Sequence, residues 1–301
     1  MSGLSDAERS GCTKLLCMLS REDLFALSDT VTNKMIAVEN IADAMEAVLS
    51  YTKDAEELLK RKKVHRDIIF KYLAMEGIVM PPQSEKHLVV KRTLEFWSAG
   101  KRVNQTSIRE TGETRQQAAG TVSVPTEIKG EDGLDPGDLG KQFCQWFFHL
   151  LNSQNPSLGQ LPQDWGPQHF WPDAELRLLS STDGQQTEEF QGAELVSLRL
   201  LALARDERLF LSPNLQPHGF KAMSSPHGLV LVAVAGTIHR DTVCLGVYEQ
   251  AFGLIRSPLD NNSWKIKFIK LKIRAQDVLS GTEAASPSLT YDSAELQQLC
   301  R

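Results

Sequence analysis

The sequence predicts an α+β protein, and three observations carry that reading. Residues 228–273 read as three consecutive β-strands, the first hundred residues read as short helices, and residues 100–140 between the folded parts hold almost no large apolar side chains. The expected organisation is a helical domain over 1–98, a flexible linker over 99–138, a domain built on a curved antiparallel sheet over 139–274 and a flexible tail over 275–301.

Composition bounds what this chain can be. It has 301 residues with 41% hydrophobic and 24% charged content, ordinary for a globular protein of about two domains. A net charge of −5 and a pI near 5.9 argue against a chain built as a whole for nucleic acid. No apolar run reaches the ~20 residues of a membrane helix, and MSGLSDAERSG lacks the basic and apolar regions of a signal peptide. The five cysteines include no CxxC pair, which suits reduced thiols in the cytoplasm or nucleus.

The helices follow from caps and stripes. Ser5 with Glu8 is a capping-box pattern, and Ser20 followed by Glu22 and Asp23 is a second N-cap that breaks the helix of Leu15, Leu16 and Leu19 from that of Leu24 and Leu27. Helices are predicted over 40–49, 54–63, 67–76 and 84–97, with Gly77 and Pro81-Pro82 as a stop. Five of the seven residues from Lys60 to Arg66 are basic; Lys60, Arg61, Lys62 and Lys63 could form a nuclear-import signal, or simply a solvated helix end where cations suit the dipole.

From residue 139 order returns. LGKQFCQWFFHLLN is an amphipathic helix, Trp165–Pro172 is a loop dense in aromatics, and 174–180 with 187–191 is a strand pair about the turn Thr182-Asp183-Gly184. A helix runs from Gly192 to Ala204 with Leu195, Leu198 and Leu201 as its apolar stripe, and 208–214 and 216–223 look extended. Then come a strand over 228–236, a polar turn TIHRDT over 237–242, a strand over 243–256 with Gly246 and Gly253 at bends, the turn SPLDNNS, and a strand over 264–273 whose alternation slips phase at a bulge near Phe268–Ile269.

This order resembles the nuclear transport factor 2-like (NTF2-like) family. Its carriers are Phe143–Leu151, Phe190-Gln191-Gly192 with Leu195–Leu203, Gly246–Phe252 and Ser263–Ile266, so the resemblance covers about residues 139–274. The whole chain also resembles a vertebrate family known by an open-reading-frame name and a domain of unknown function, through SDTVTN (28–33), RDIIFKY (66–72), GPQHFW (166–171) and LSPN (211–214). The first resemblance implies a cone with an inward pocket and an open sheet face, from Tyr248 to Phe268, that supports homodimers. The second implies only a loose link to promotion of apoptosis.

Some NTF2-like relatives are isomerases or dehydratases with a carboxylate base in the pocket, and the candidates here are Asp173, His169, Tyr248, Glu249 and His239. Glu249 has the opposite strand parity to Tyr248, and His239 falls in the expected polar turn, solvated. No Ser/His/Asp signature, P-loop or zinc spacing occurs among the seven histidines and other residues, so neither cofactor nor metal is expected. The transport factor's acidic patch for a small GTPase is missing from 237–242, so that partner is not carried over. The favoured expectation is a non-enzymatic interaction or adaptor protein with an unknown protein partner. Its candidate binding mouth is Trp165, His169, Phe170, Trp171 and Tyr248. The alternatives are an isomerase-type enzyme using the cone pocket and an RNA-export adaptor using Lys60–Lys63.

Overall fold

The computed structural model describes residues 4–106, 135–181, 185–225, 227–257, 263–275, 286–291 and 295. Most of the expected linker, the turn Thr182–Gly184, most of SPLDNNS and much of the tail lie outside them. The chain divides into two compact units, Met1–Thr121 and Val122–Arg301.

The first unit is all-α: α1 (Asp6–Leu16), α2 (Arg21–Val31), α3 (Ile41–Tyr51), α4 (Ala55–Lys60), α5 (Arg66–Met75) and α6 (Lys86–Thr106). The caps read from sequence form. The Ser5 amide donates to Glu8 Oε2 at 2.8 Å while the Glu8 amide donates back to Ser5 Oγ, and the Asp23 amide donates to Ser20 Oγ at 3.1 Å. Leu16, Leu24, Leu27, Leu59, Ile69 and Leu73 bury almost completely. Gly11 is required where α1 meets α6, since a Cβ there would lie 2.2 Å from the Trp97 ring. That ring donates its N–H to the Tyr72 hydroxyl at 2.8 Å in the core.

The second unit holds α7 (Pro136–Asn152), β1 (Phe170–Ser181), β2 (Gln185–Gln191), α8 (Ala193–Arg205), β3 (Leu209–Asn214), β4 (Phe220–Ser224), β5 (Leu229–Arg240), β6 (Val243–Arg256) and β7 (Trp264–Ala275). The strands form one sheet in the order β2-β1-β7-β6-β5-β3, with β4 on the other half of β5's free edge. All pairings are antiparallel except β1 with β7, which is parallel. One face of this sheet wraps α7 and α8 in a single core. Bulges bend the strands: Leu245 is the extra residue of β6 against β5, and Lys267 is the extra residue of β7 against β6, one place before the predicted slip. Gly253 lets the Phe268 ring lie across β6, since a Cβ there would meet it at 2.2 Å.

Two expectations are corrected. The polar turn over 237–242 shrinks to Asp241-Thr242, because β5 continues through Arg240. Thr237 and His239 are buried strand residues, with Thr237 Oγ1 and His239 Nε2 2.8 Å apart, while Arg240 is exposed. The tail, expected to be flexible over 275–301, is seated over 286–291, where the Leu289 amide donates to the His218 carbonyl at 3.0 Å.

At the edge, β3 is held by side chains in place of a neighbouring strand. Asn152 at the end of α7 donates to and accepts from the Leu211 backbone at 2.8 and 3.0 Å, and Asn155 donates to the Leu209 carbonyl at 3.2 Å.

Candidate functional site

The inside of the second unit is an aromatic core. Asp135 caps α7 through the Gly137 amide at 2.9 Å, and the stripe that follows buries Phe143, Cys144, Phe147, Phe148 and Leu151. Phe252 of β6 meets Phe143 and Phe147 edge-on at 4.9 and 4.8 Å. Tyr248, fully buried, tilts against Phe148 at 5.8 Å. Burial pushes its phenol well above the ordinary value, as it pushes the Cys144 thiol up. Among the described residues, neither the Tyr248 hydroxyl nor the Gln250 carboxamide finds a hydrogen-bond partner.

The expected mouth residues go to different places. Trp165, His169 and Phe170 come together: Trp165 lies 6.5 Å from His169 and 6.0 Å from Phe170, ring centre to ring centre, and His169 meets Trp146 edge-on at 5.1 Å. The Trp165 N–H donates to the Ser197 carbonyl of α8 at 3.1 Å. Phe170 is 2% exposed and belongs to the core, as does Tyr248. Trp171 starts the wide bulge between β1 and β7 and donates its N–H to the Ile255 carbonyl at 3.2 Å.

The catalytic candidates do not converge. Asp173 is exposed and held by Lys267, whose hydrogen bond keeps its carboxyl below the usual range. His169 lies at the aromatic rim, its Nε2 3.1 Å from the Asp164 carbonyl oxygen. Glu249 is 1% exposed on the opposite side of β6 from Tyr248 and is bound by Arg274 at 2.6 Å. His239, expected to be solvated, is fully buried. An open groove of about 530 Å³ lies on the outer sheet face, lined by Glu175, Arg177, Glu189, Gln191, Phe268 and Lys270 among others, and none of the five candidates lines it. Its charges are largely self-compensated, with Arg177 on Glu189 at 2.8 Å. Among the described residues no group of His, Cys, Asp and Glu could hold a metal ion, and no helix is long and apolar enough to cross a membrane.

The basic cluster is largely bound to acids within the first unit. Lys60 meets Glu56 at 2.6 Å, Arg61 meets Glu57 at 2.7 Å, and Lys63 meets Asp23 at 2.8 Å. The Lys63 hydrogen bond lowers the Asp23 carboxyl. Lys62 is exposed.

Sequence reasoning missed one surface because it read α8 in the wrong phase. The stripe that packs is Val196, Leu200, Leu203 and Ala204, while Leu195 and Leu198 are 55% and 59% exposed. The segment AELVSLRLLALA is apolar on more than one side, so a 3.6-residue period fits two stripes. Trp165 reaches the α8 backbone at Ser197, a buried residue of that helix.

These features define the class: a helical unit joined in one chain to an α+β unit with a packed aromatic interior. Family profiles for the DUF4518 N-terminal and C-terminal domains match residues 4–99 and 137–284. A Mus musculus protein, "Uncharacterized protein C3orf38 homolog", is 48% identical over 300 residues, 99% of this chain and 85% of that one. The Rattus norvegicus homologue is 47% identical over the same shares. The chain belongs to the DUF4518 family. Similar solved structures include the yeast UBP3-associated protein BRE5 (16% identity, TM-score 0.36, 48% of this chain and 100% of that one) and nuclear transport factor 2 from Cryptosporidium parvum (20%, TM-score 0.34, 46% and 94%).

Proposed function

We propose that this is a non-enzymatic interaction or adaptor protein, and that its C-terminal unit binds a protein partner through the outer face of α8. The carrying observation is the pair Leu195 and Leu198, two large apolar side chains more than half exposed one helical turn apart on α8. Adjoining exposed apolar residues of this kind mark interaction surfaces. The dispersal of Asp173, His169, Tyr248, Glu249 and His239 supports the same reading, since proton transfer needs its groups within hydrogen-bond reach of one substrate. The Lys60–Lys63 cluster supports an RNA role weakly, because most of its cations already face carboxylates. Nothing in the site adds to the link with apoptosis.

A second reading has one observation in its favour. The unpartnered Tyr248 hydroxyl and Gln250 carboxamide inside the aromatic core are the groups a small polar ligand would satisfy.

The experiment is in-cell crosslinking of the full chain against the double variant Leu195→Asp, Leu198→Asp, with melting curves of both. Crosslinks to a protein partner at α8 in the parent, lost in a variant that melts at the same temperature, support the proposal. An unchanged set of crosslinks, or none at α8, overturns it.

A further inference from the structure

The outer face of the sheet carries a ligand made of this chain. Ser286–Tyr291 (SPSLTY), joined to β7 by residues 276–285, lies on β4, β5 and β6 through a specific set of contacts. Asn214, itself fully buried, donates from Nδ2 to the Pro287 carbonyl at 2.6 Å. The Leu289 amide donates to the His218 carbonyl at 3.0 Å, and Leu289 and Tyr291 pack with Met223 and Phe268 over buried Leu231 and Ala233. Thr290 supplies the polar anchor. Its amide donates to Glu249 Oε2 at 2.9 Å, and its hydroxyl lies 2.9 and 2.8 Å from the two oxygens of that carboxylate. Burial at 1% exposure keeps Glu249 from turning to water, and it has one guanidinium partner, Arg274. Thr290 is nevertheless exposed as a residue, and an enzyme would take its hydroxyl when the segment lifts from Glu249.

We infer that this face is a recognition site for an extended, hydroxyl-bearing peptide segment, occupied by the chain's own Pro287–Tyr291, and that Thr290 is a modification site whose phosphorylation empties it. The inference uses a different face from α8 and stands apart from the proposed function. A protein kinase would transfer the γ-phosphoryl group of ATP to Thr290 Oγ1. The new P–O bond forms as the bond to the β-phosphate oxygen breaks, ADP leaves, and the hydroxyl proton passes to the kinase base. The product has lost the donor that Glu249 reads and places close to two negative charges beside a buried carboxylate. Phosphate and carboxylate would then compete for Arg274, and the carboxylate is the one that cannot leave. Release uncovers Leu231, Ala233 and Phe268 for another contact.

The test is hydrogen exchange by mass spectrometry on the full-length chain, with phosphothreonine installed at position 290. Slow exchange is expected at the Leu289 and Thr290 amides in the unmodified chain and in Thr290→Ser. In the phosphorylated chain exchange there should be at least ~10-fold faster while α7 is unchanged. Adding Glu249→Gln to the phosphorylated chain should restore part of the protection. Retained protection at Leu289 and Thr290 after phosphorylation overturns the inference. So does simultaneous loss of protection in α7, which would make the segment part of the core, and so does failure of Glu249→Gln to restore any protection.

Discussion

The two faces of the C-terminal sheet are built from alternate residues of the same strand and do opposite things. Along β6, Tyr248, Phe252 and Leu254 go into the aromatic core with α7, while Glu249, Ala251 and Gly253 face out, where the tail segment and the Phe268 ring cover them. The inner face is closed by ring-on-ring packing. The outer face holds a buried carboxylate reading a peptide. The pairing teaches that one strand can build a closed apolar core on one side and a polar contact with a distant segment on the other.

The strongest way to break that contrast is to open the inner face. Phe252 touches Phe143, Phe147 and Phe148 and is fully buried. Phe252→Ala should cost about 3–5 kcal/mol of the second unit's stability, read from urea unfolding followed by tryptophan emission. A loss below about 1 kcal/mol would mean that the interior was already open, and the small-molecule reading would gain.

The edge comes next. Asn152→Ala removes both clamps on the Leu211 backbone and leaves a buried N–H and C=O without partners, so about 2–3 kcal/mol should be lost in the same unfolding experiment. The isosteric Asn152→Asp faces a buried carboxylate oxygen to the Leu211 carbonyl, and should cost at least as much as the alanine variant at neutral pH. If Asn152→Ala unfolds like the parent, water replaces the clamps and β3 is an open edge.

Much of this architecture was legible in sequence, and the parts that were not share a cause. Ser5 and Ser20 act over three residues, so their caps could be read locally, and the alternation of β7 showed its strand period and, within one residue, its bulge. What failed depends on groups far apart in the chain. Thr237 and His239 read as a turn because polar residues two apart reveal nothing of the strand that buries them. Glu249 and Thr290 are 41 positions apart, and no periodicity links a β6 residue to a Ser/Pro/Thr-rich tail. Of the residues expected at the aromatic mouth, Trp165 and His169 meet, while Phe170 and Tyr248 pack in the core, where a large aromatic gains most from burial.

A smaller effect sharpens the inner face in the opposite direction. The Tyr248 hydroxyl is buried without a partner among the described residues, so Tyr248→Phe removes a desolvated donor at almost no change of shape. Stability should stay level or rise by up to about 1 kcal/mol. A loss of that size would show that the hydroxyl is satisfied in solution by water or a ligand, and co-purified small molecules would then be sought by mass spectrometry of the denatured protein.

The smallest expected effect on stability is at Leu198 of α8, and its contrast with Leu200 separates stability from function most cleanly. Leu198 and Leu200 are two residues apart on one helix. Leu200 is fully buried against the sheet, and Leu198 is more than half exposed. Leu200→Ala should cost about 2–5 kcal/mol, whereas Leu198→Asp should change stability by no more than about 0.5 kcal/mol. On the proposed reading, a charge at 198 should abolish partner crosslinking while leaving the melting curve in place. A Leu198→Asp chain that melts several degrees lower would mean that the side chain packs within the protein in solution, and the α8 face would no longer be available to a partner.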